Sequence, residues 1–191
     1  EAVARSDQND DGEPIVCVDV AEIPGGGSLH LMRCGDDYSI QFGDEELMGS
    51  EVRHSEQALA TLACARLADN NGSVLVGGLG MGFTLGAALA AMGPDARITV
   101  AELVPKVVAW AKGPLGHIFG GSLTDPRTAL EVRDVHDVIE QADAAFAQAL
   151  QDGHAIHFGH HQIKDHNGNV ITARAFKCGK GLNTIFNCLA A

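Results

Sequence analysis

Val74-Leu75-Val76-Gly77-Gly78-Leu79-Gly80-Met81-Gly82 is an apolar run of strand length that breaks into a glycine-dense turn. The stretch 81–92 that follows carries Leu85, Ala88, Leu89 and Met92 at helical spacing. Glycine permits positive φ and lets backbone come within contact distance of a ligand, while the helix beyond offers its N-terminal amides. Glu102 lies twenty residues after Gly82, at the end of a second strand predicted over 97–101, where a carboxylate accepts hydrogen bonds from two ribose hydroxyls. Strand, turn, helix and spaced acid together predict a nucleoside site.

What the loop lacks narrows the nucleoside. A G-x-G-x-x-G dinucleotide turn needs a third glycine or alanine, but that place falls on Phe83 counted from Gly78 and on Leu85 counted from Gly80. NAD and FAD are therefore disfavoured. No Gly-Lys-Ser/Thr follows, so a phosphate-clamping P-loop is absent. Gly78-x-Gly80-x-Gly82 with Glu102 suits a nucleoside without phosphate, as in S-adenosylmethionine.

Outward from the loop, strands and helices alternate. After the strands over 73–76 and 97–101, Val104, Val107, Val108 and Ala111 mark a helix with Pro105 in its tolerated first turn, and 129–132 is a third strand. Trp110 lies among these apolar positions and reads as packing rather than base stacking. Such alternation predicts parallel β units covered on both faces. Upstream, Ser55 is a candidate cap for a helix reaching about Asp69. Before it, IVCVDV, SLHLMR and YSIQF form an antiparallel meander punctuated by Pro24-Gly25-Gly26-Gly27 and Cys34-Gly35-Asp36-Asp37. The expected organisation is a disordered acidic tail over 1–14, a small β meander over 15–50, a Rossmann-like nucleoside-binding domain over 51–152 and a C-terminal hairpin over 153–191. The fold class is α/β, a doubly wound and mostly parallel sheet.

Past Asp134 the alternation fails. Val135, Ile139, Ala142, Phe146 and Ala149 recur at helical steps where a doubly wound sheet places its fourth strand. Strand candidates over 155–158 and 170–176 flank His166-Asn167-Gly168-Asn169, a strong hairpin turn signal. His154, His157, His160, His161 and His166 crowd this segment, but their spacing matches no zinc signature and strand alternation splits them between two faces, so no metal site is expected.

Composition sets the outer bounds. The 191 residues are 46% hydrophobic and 20% charged, a globular profile. A net charge of -12 repels a polyphosphate backbone, which excludes nucleic acid as the expected partner. Five widely spaced cysteines suit unpaired thiols in a reducing compartment, so the cytoplasm is expected. No apolar stretch has the length of a membrane span and no signal peptide is recognised. The chain begins at Glu1 rather than Met, as a processed or trimmed piece does.

The run from SLHLMRCGDDYSIQFGDEELMGS through HSEQALATLA, VLVGGLGMG, ITVAELVPKVVAWA and LEVRD resembles the spermidine synthase-like proteins of the class I S-adenosylmethionine-dependent transferases, over about 15–134. The resemblance implies a small N-terminal β domain before a doubly wound sheet. It also implies S-adenosylmethionine or its decarboxylated form as donor, a small-molecule amine as acceptor, and self-association as a homodimer. By the same resemblance Gly77, Gly78, Gly80 and Gly82 line the donor, Glu102 holds its ribose with Leu103 beside it, and Asp134 accepts from the adenine amino group. Glu56 faces the amine, and Asp152 stands at the offset of the base that deprotonates it. Two departures are visible: Gly80 occupies the place of an aspartate in that family, and of its Tyr-x-Glu-x-x-x-His pattern only Glu56 survives among His54, Glu56 and Ala60. The expected function is alkyl (aminopropyl) transfer to an amine, with methyl transfer and a non-catalytic nucleoside-binding scaffold as alternatives.

Overall fold

The computed structural model describes residues 13–65, 67 and 70–141 in full and the backbone of 7–8, 155–164, 170–178 and 181–187. The meander has five strands, β1 (Asp7–Gln8), β2 (Pro14–Glu22), β3 (Ser28–Cys34), β4 (Asp37–Phe42) and β5 (Glu45–Gly49), in that spatial order. Two of them escape the pattern of the sequence. β5 opens on Glu45 and Glu46, charges that an edge strand tolerates. β1 adds two residues of the acidic stretch to the opposite edge, pairing Asp7 with Ile15 and Gln8 with Pro14 through backbone alone.

The inner face of the meander carries Ala21, Leu31 and Ile40, at 0%, 0% and 3% exposure, and these join one hydrophobic cluster with the α/β part of the chain. A polar tie accompanies the packing. The Trp110 indole, 1% exposed, donates to Asp19 Oδ2 at 2.9 Å, and Lys106 Nζ lies 3.0 Å from Asp19 Oδ1. Burial pushes the Asp19 carboxyl up, but the indole, the ammonium and the Val20 amide outweigh it and hold the group below its ordinary value.

The second sheet runs β8-β7-β6-β11-β10-β9, with β6 (Ser73–Gly77), β7 (Arg97–Glu102), β8 (Thr128–Val132), β9 (Ala155–Lys164), β10 (Val170–Cys178) and β11 (Gly181–Asn187). β8, β7, β6 and β11 are mutually parallel, while β10 and β9 extend the sheet antiparallel. β9 and β10 form the hairpin anticipated around 166–169. The place beside β6, where the sequence offers only a helical pattern, is filled by β11 from the end of the chain. Strand order therefore reverses at β6, the feature that opens a crevice at the carboxyl ends of parallel strands.

Three helices follow from the sequence pattern, α1 (His54–Cys64), α2 (Phe83–Ala91) and α3 (Pro105–Lys112); the short α4 (Gly116–Phe119) is not expected from it. Val74, Val76, Ile98 and Val100 pack in one cluster with α2 and α3, whereas Leu75 and Ala101 meet Val135, Val138 and Ile139 of a helix over 135–141 on the other face. The cap expected of Ser55 is not formed. α1 begins one residue earlier, at His54, and the Ser55 hydroxyl donates instead to Glu56 Oε2 at 2.8 Å; the helix also ends at Cys64, short of Asp69. Among the described residues no helix is long and apolar enough to cross a membrane.

At the amino-terminal side of the parallel strands, Arg127 closes the fold. Its guanidinium takes Asp125 in two bonds, Nε to Oδ1 at 3.0 Å and Nη2 to Oδ2 at 2.8 Å, while Nη1 donates to the carbonyls of Leu89 and Met92 at the end of α2. The Arg127 side chain and amide together hold the Asp125 carboxyl down at about 2, against an ordinary 3.8. A depressed folded-state value stabilises above the unfolded one and is lost as pH falls through the folded one. Thermal melts should therefore show the stability difference between wild type and Asp125→Asn present at neutral pH and vanishing between about pH 4 and about pH 2. Trp110→Phe should lower unfolding free energy by roughly 1–3 kcal/mol in urea titration, through the lost indole bond and the smaller side chain.

Candidate functional site

The glycine loop owes its shape to an alternation. Leu79, Met81 and Phe83 are sunk into the core at 5%, 1% and 8% exposure, and the alternating glycines grade from exposed at Gly78 through half-buried at Gly80 to buried at Gly82. Gly78, Gly80 and Gly82 have φ of +87°, +49° and +79°, a region closed to most side chains. Gly77 ends β6 opposite Ala101, and Gly78 N–H continues the contact by donating to the Ala101 carbonyl at 2.8 Å. Gly82 then donates to the Leu79 carbonyl at 2.9 Å and opens α2.

The three positions differ in what stands before them. A Cβ on Gly78 would meet nothing within 4 Å, so the loop is open there. On Gly80 it would lie 2.7 and 2.8 Å from Met48 Cε and Sδ, which reach over from β5, and on Gly82 it would strike the Phe119 ring of α4. The loop is thus walled at its second half by the protein itself and free at its first.

Glu102, at the end of β7, is 6% exposed and the only buried charged side chain among the described residues. Its Oε2 accepts from Leu79 N–H at 2.7 Å and its Oε1 from Val104 N–H at 2.8 Å. A buried carboxylate needs such donors to offset desolvation. Each oxygen has a second lone pair, so two acceptor positions remain, one per oxygen. The carboxylate faces the loop, as the spacing anticipates, and its role within the structure is to pin that loop to the start of α3. Beside it, the backbone at Gly78 is open, with nothing within 4 Å of where a Cβ would stand.

The other site residues distribute unevenly. Leu103, 37% exposed, lies beside Glu102 on the rim. Asp134 follows β8 at the same carboxyl edge, exposed, and its Oδ1 accepts from His136 N–H at 2.7 Å, capping helix 135–141. Glu56 stands in the first turn of α1. The guanidinium of Arg53, just before that turn, lies 5.4 Å from the Phe83 ring centroid, so α1 and α2 start at the same edge. Asp152, His154 and His166 lie outside the described residues. On β9, a bulge lies between the backbone pairings of His157 with Phe176 and of His160 with Arg174. Among the described residues no three potential ligands gather around a metal position.

Arg53, Met48 and Phe119 were not legible as site residues. Each reaches the loop from a different element, across a distance in sequence that no local spacing encodes.

Parallel strands with a glycine turn at the point of reversal define an α/β protein of the Rossmann-like class. Within it, the chain has a spermidine synthase-like fold. It superposes on a spermidine synthase crystallised with the transition-state analogue AdoDATO at a TM-score of 0.54 and 15% identity, over 65% of this chain and 43% of that one. Against spermidine synthase from Thermotoga maritima the TM-score is 0.56 and the identity 16%, over 68% of this chain and 45% of that one. The chain spans less than half the length of either. No family model and no curated protein matches it.

Removing the pin should loosen the loop before any ligand is considered. Glu102→Ala leaves two buried amides without acceptors and should lower unfolding free energy by roughly 2–5 kcal/mol. Glu102→Gln, which retains one acceptor oxygen, should lose about half as much. Urea denaturation of the three proteins checks the order.

Proposed function

We propose that the chain is a transferase that takes an S-adenosylmethionine-type donor and passes an alkyl group to a small-molecule amine. The observation that carries this reading is the conjunction of an open glycine backbone at Gly78 with the buried Glu102 carboxylate behind it, at the reversal point of a parallel sheet. The likeness of fold to spermidine synthases supports aminopropyl transfer from the decarboxylated donor.

When bound, the donor supplies a carbon activated by its bond to sulfonium, a good leaving group. The chain's residues would bind and orient. Glu102 would take the ribose hydroxyls on its free lone pairs, Gly77 and Gly78 would give the backbone path along the nucleoside, and Leu103 would cover one side of the base; Gly80 and Gly82, covered by Met48 and Phe119, would shape the loop without facing the ligand. Asp134, at the carboxyl end of the third strand, would accept from the adenine amino group. Holding donor and amine in line supplies a large share of such an acceleration. The amine must lose a proton, and Asp152 is the candidate base; Glu56 would neutralise the amine before it reacts. Cys17 and Cys64 are free thiols, which supports a reducing, cytoplasmic setting.

A second reading, methyl transfer, is favoured by one observation: the loop position at Gly80 is occupied by the neutral thioether of Met48 rather than by an acid that would hold an ammonium.

Calorimetry with S-adenosylmethionine, its decarboxylated form and methylthioadenosine tests the reading. Micromolar binding of at least one is expected, followed by alkylated amine in mass spectrometry of amine mixtures. Binding without product leaves a nucleoside scaffold, and no binding by any of the three rejects the site.

A further inference from the structure

A crevice at a point of strand reversal has two walls. The first is the glycine loop with Glu102, and the second begins with β11 on the other side of β6. β11 and β6 pair in parallel through four consecutive residues, ending at Phe186 with Val76, and each strand continues by one residue, to Asn187 and to Gly77. Neighbouring strands run about 4.8 Å apart, so Asn187 is brought beside the residue from which the open backbone of Gly78 continues. The antiparallel strands extend the same level. Asn187 pairs with Thr172 of β10 and Thr172 with Gln162 of β9, and the bulge of that hairpin lies further back, between Arg174 and Phe176.

Gln162, Thr172 and Asn187 therefore take one register row on one face of the sheet, level with Gly77. All three are uncharged groups that both donate and accept hydrogen bonds. The strands that carry them have a charge opposite to that of the chain. β9, β10 and β11 contain no Asp or Glu, but they hold Lys164, Arg174 and Lys177, within a protein of net charge -12. Lys164 ends β9 at the level of Val170, at the same edge of the sheet, and Arg174 follows two residues after Thr172 in the same face pattern. An aliphatic polyamine is a multiple cation that needs carboxylates around it, and on this wall it meets cations instead. An asparagine amide also cannot remove a proton, so it does nothing to uncover the lone pair of an ammonium. An arylamine avoids both difficulties. Its nitrogen is weakly basic and uncharged at neutral pH, and its N–H groups suit amide and hydroxyl oxygens.

We infer that the row of Gln162, Thr172 and Asn187 is the acceptor subsite, and that the acceptor it takes is an uncharged arylamine rather than an aliphatic polyamine. This rests on the nucleoside reading above and narrows its amine. In the transfer the nitrogen lone pair forms the new N–C bond while the C–S bond of the donor breaks, its electron pair going to sulfur as a neutral thioether. The proton leaves the nitrogen for water once the new bond has formed, so no base is needed beforehand. The row contributes hydrogen bonds that hold the acceptor beside Gly77, and the cations of its strands select against a charged one.

The test is calorimetry on protein saturated with methylthioadenosine and titrated with para-aminobenzamide, an uncharged arylamine, or with diaminobutane, an aliphatic dication. Wild type, Asn187→Asp and Thr172→Val are compared; both substitutions nearly conserve volume, and thermal melts confirm folding. Wild type should bind the arylamine at least roughly 10-fold more tightly than the diamine. Asn187→Asp, which places a carboxylate in the row, should tighten the diamine by roughly 10- to 100-fold, and Thr172→Val should weaken the arylamine by roughly 3- to 10-fold. The affinity for methylthioadenosine should stay within about twofold in both. The inference is overturned if wild type prefers the diamine or binds neither acceptor, if the folded variants leave the ratio of the two unchanged, or if methylthioadenosine weakens in parallel with the acceptors. Each of those outcomes leaves methylthioadenosine bound to wild type and the nucleoside site standing. Failure of methylthioadenosine to bind wild type removes that site and the inference together.

Discussion

The Glu102 carboxylate is the constraint on which the site depends. A charge at 6% exposure is costly unless donors surround it, and it obtains them by drawing in two backbone amides from separate segments, Leu79 of the glycine loop and Val104 before α3. That exchange fixes where the turn after β6 lies relative to the end of β7. Glycines alone would permit the loop many paths; the buried acid selects one. The same residue is therefore structural and, in the proposed reading, ligand-binding, with one lone pair per oxygen assigned to each task. Pre-paying the loop's order in this way leaves less entropy for a ligand to remove.

The second half of the loop is held from outside. Met48 comes from β5, Phe119 from α4 and Arg53 from the turn before α1, and these close over Gly80, Gly82 and Phe83 in sequence. The meander is consequently part of the site's wall. Its inner face shares the core with the α/β layers, and the Asp19 contacts with Trp110 and Lys106 fix its β2 strand against α3. Surface ion pairs contribute little by themselves, so the Lys106 contact is secondary to the indole bond and the apolar packing.

How far the sequence discloses this follows from the range of each interaction. The strand, turn and helix around Gly78 were readable because glycine density and apolar spacing are local, and the place of Glu102 was readable because one βαβ unit has a narrow range of lengths. The partners of Glu102 were not, since nothing in the spacing distinguishes a carboxylate facing ribose from one facing Leu79 N–H. β11 escaped because Leu182, Ile185 and Phe186 neither alternate nor follow a strong turn signal, yet parallel pairing with β6 gives the segment its place. The Ser55 cap failed for a local reason: a hydroxyl beside Glu56 has a nearer acceptor than the backbone it was expected to satisfy, and α1 starts without a side-chain cap. The irregular register of β9 was not readable either, because a bulge leaves no trace in composition.

Two electrostatic ranges meet at this site and act on different molecules. The net charge of -12 produces a field that draws cations toward the protein, but salt screens it beyond about 10 Å. Within the crevice, discrimination among ligands that share an adenosine is a matter of the few charges within contact range, and there the balance is local. Glu102 gives one lone pair of each oxygen to the loop and to the start of α3, which leaves one on each. Overall acidity is therefore no argument for a cationic ligand at the loop, because the groups in contact with a ligand outweigh a screened sum over the whole surface.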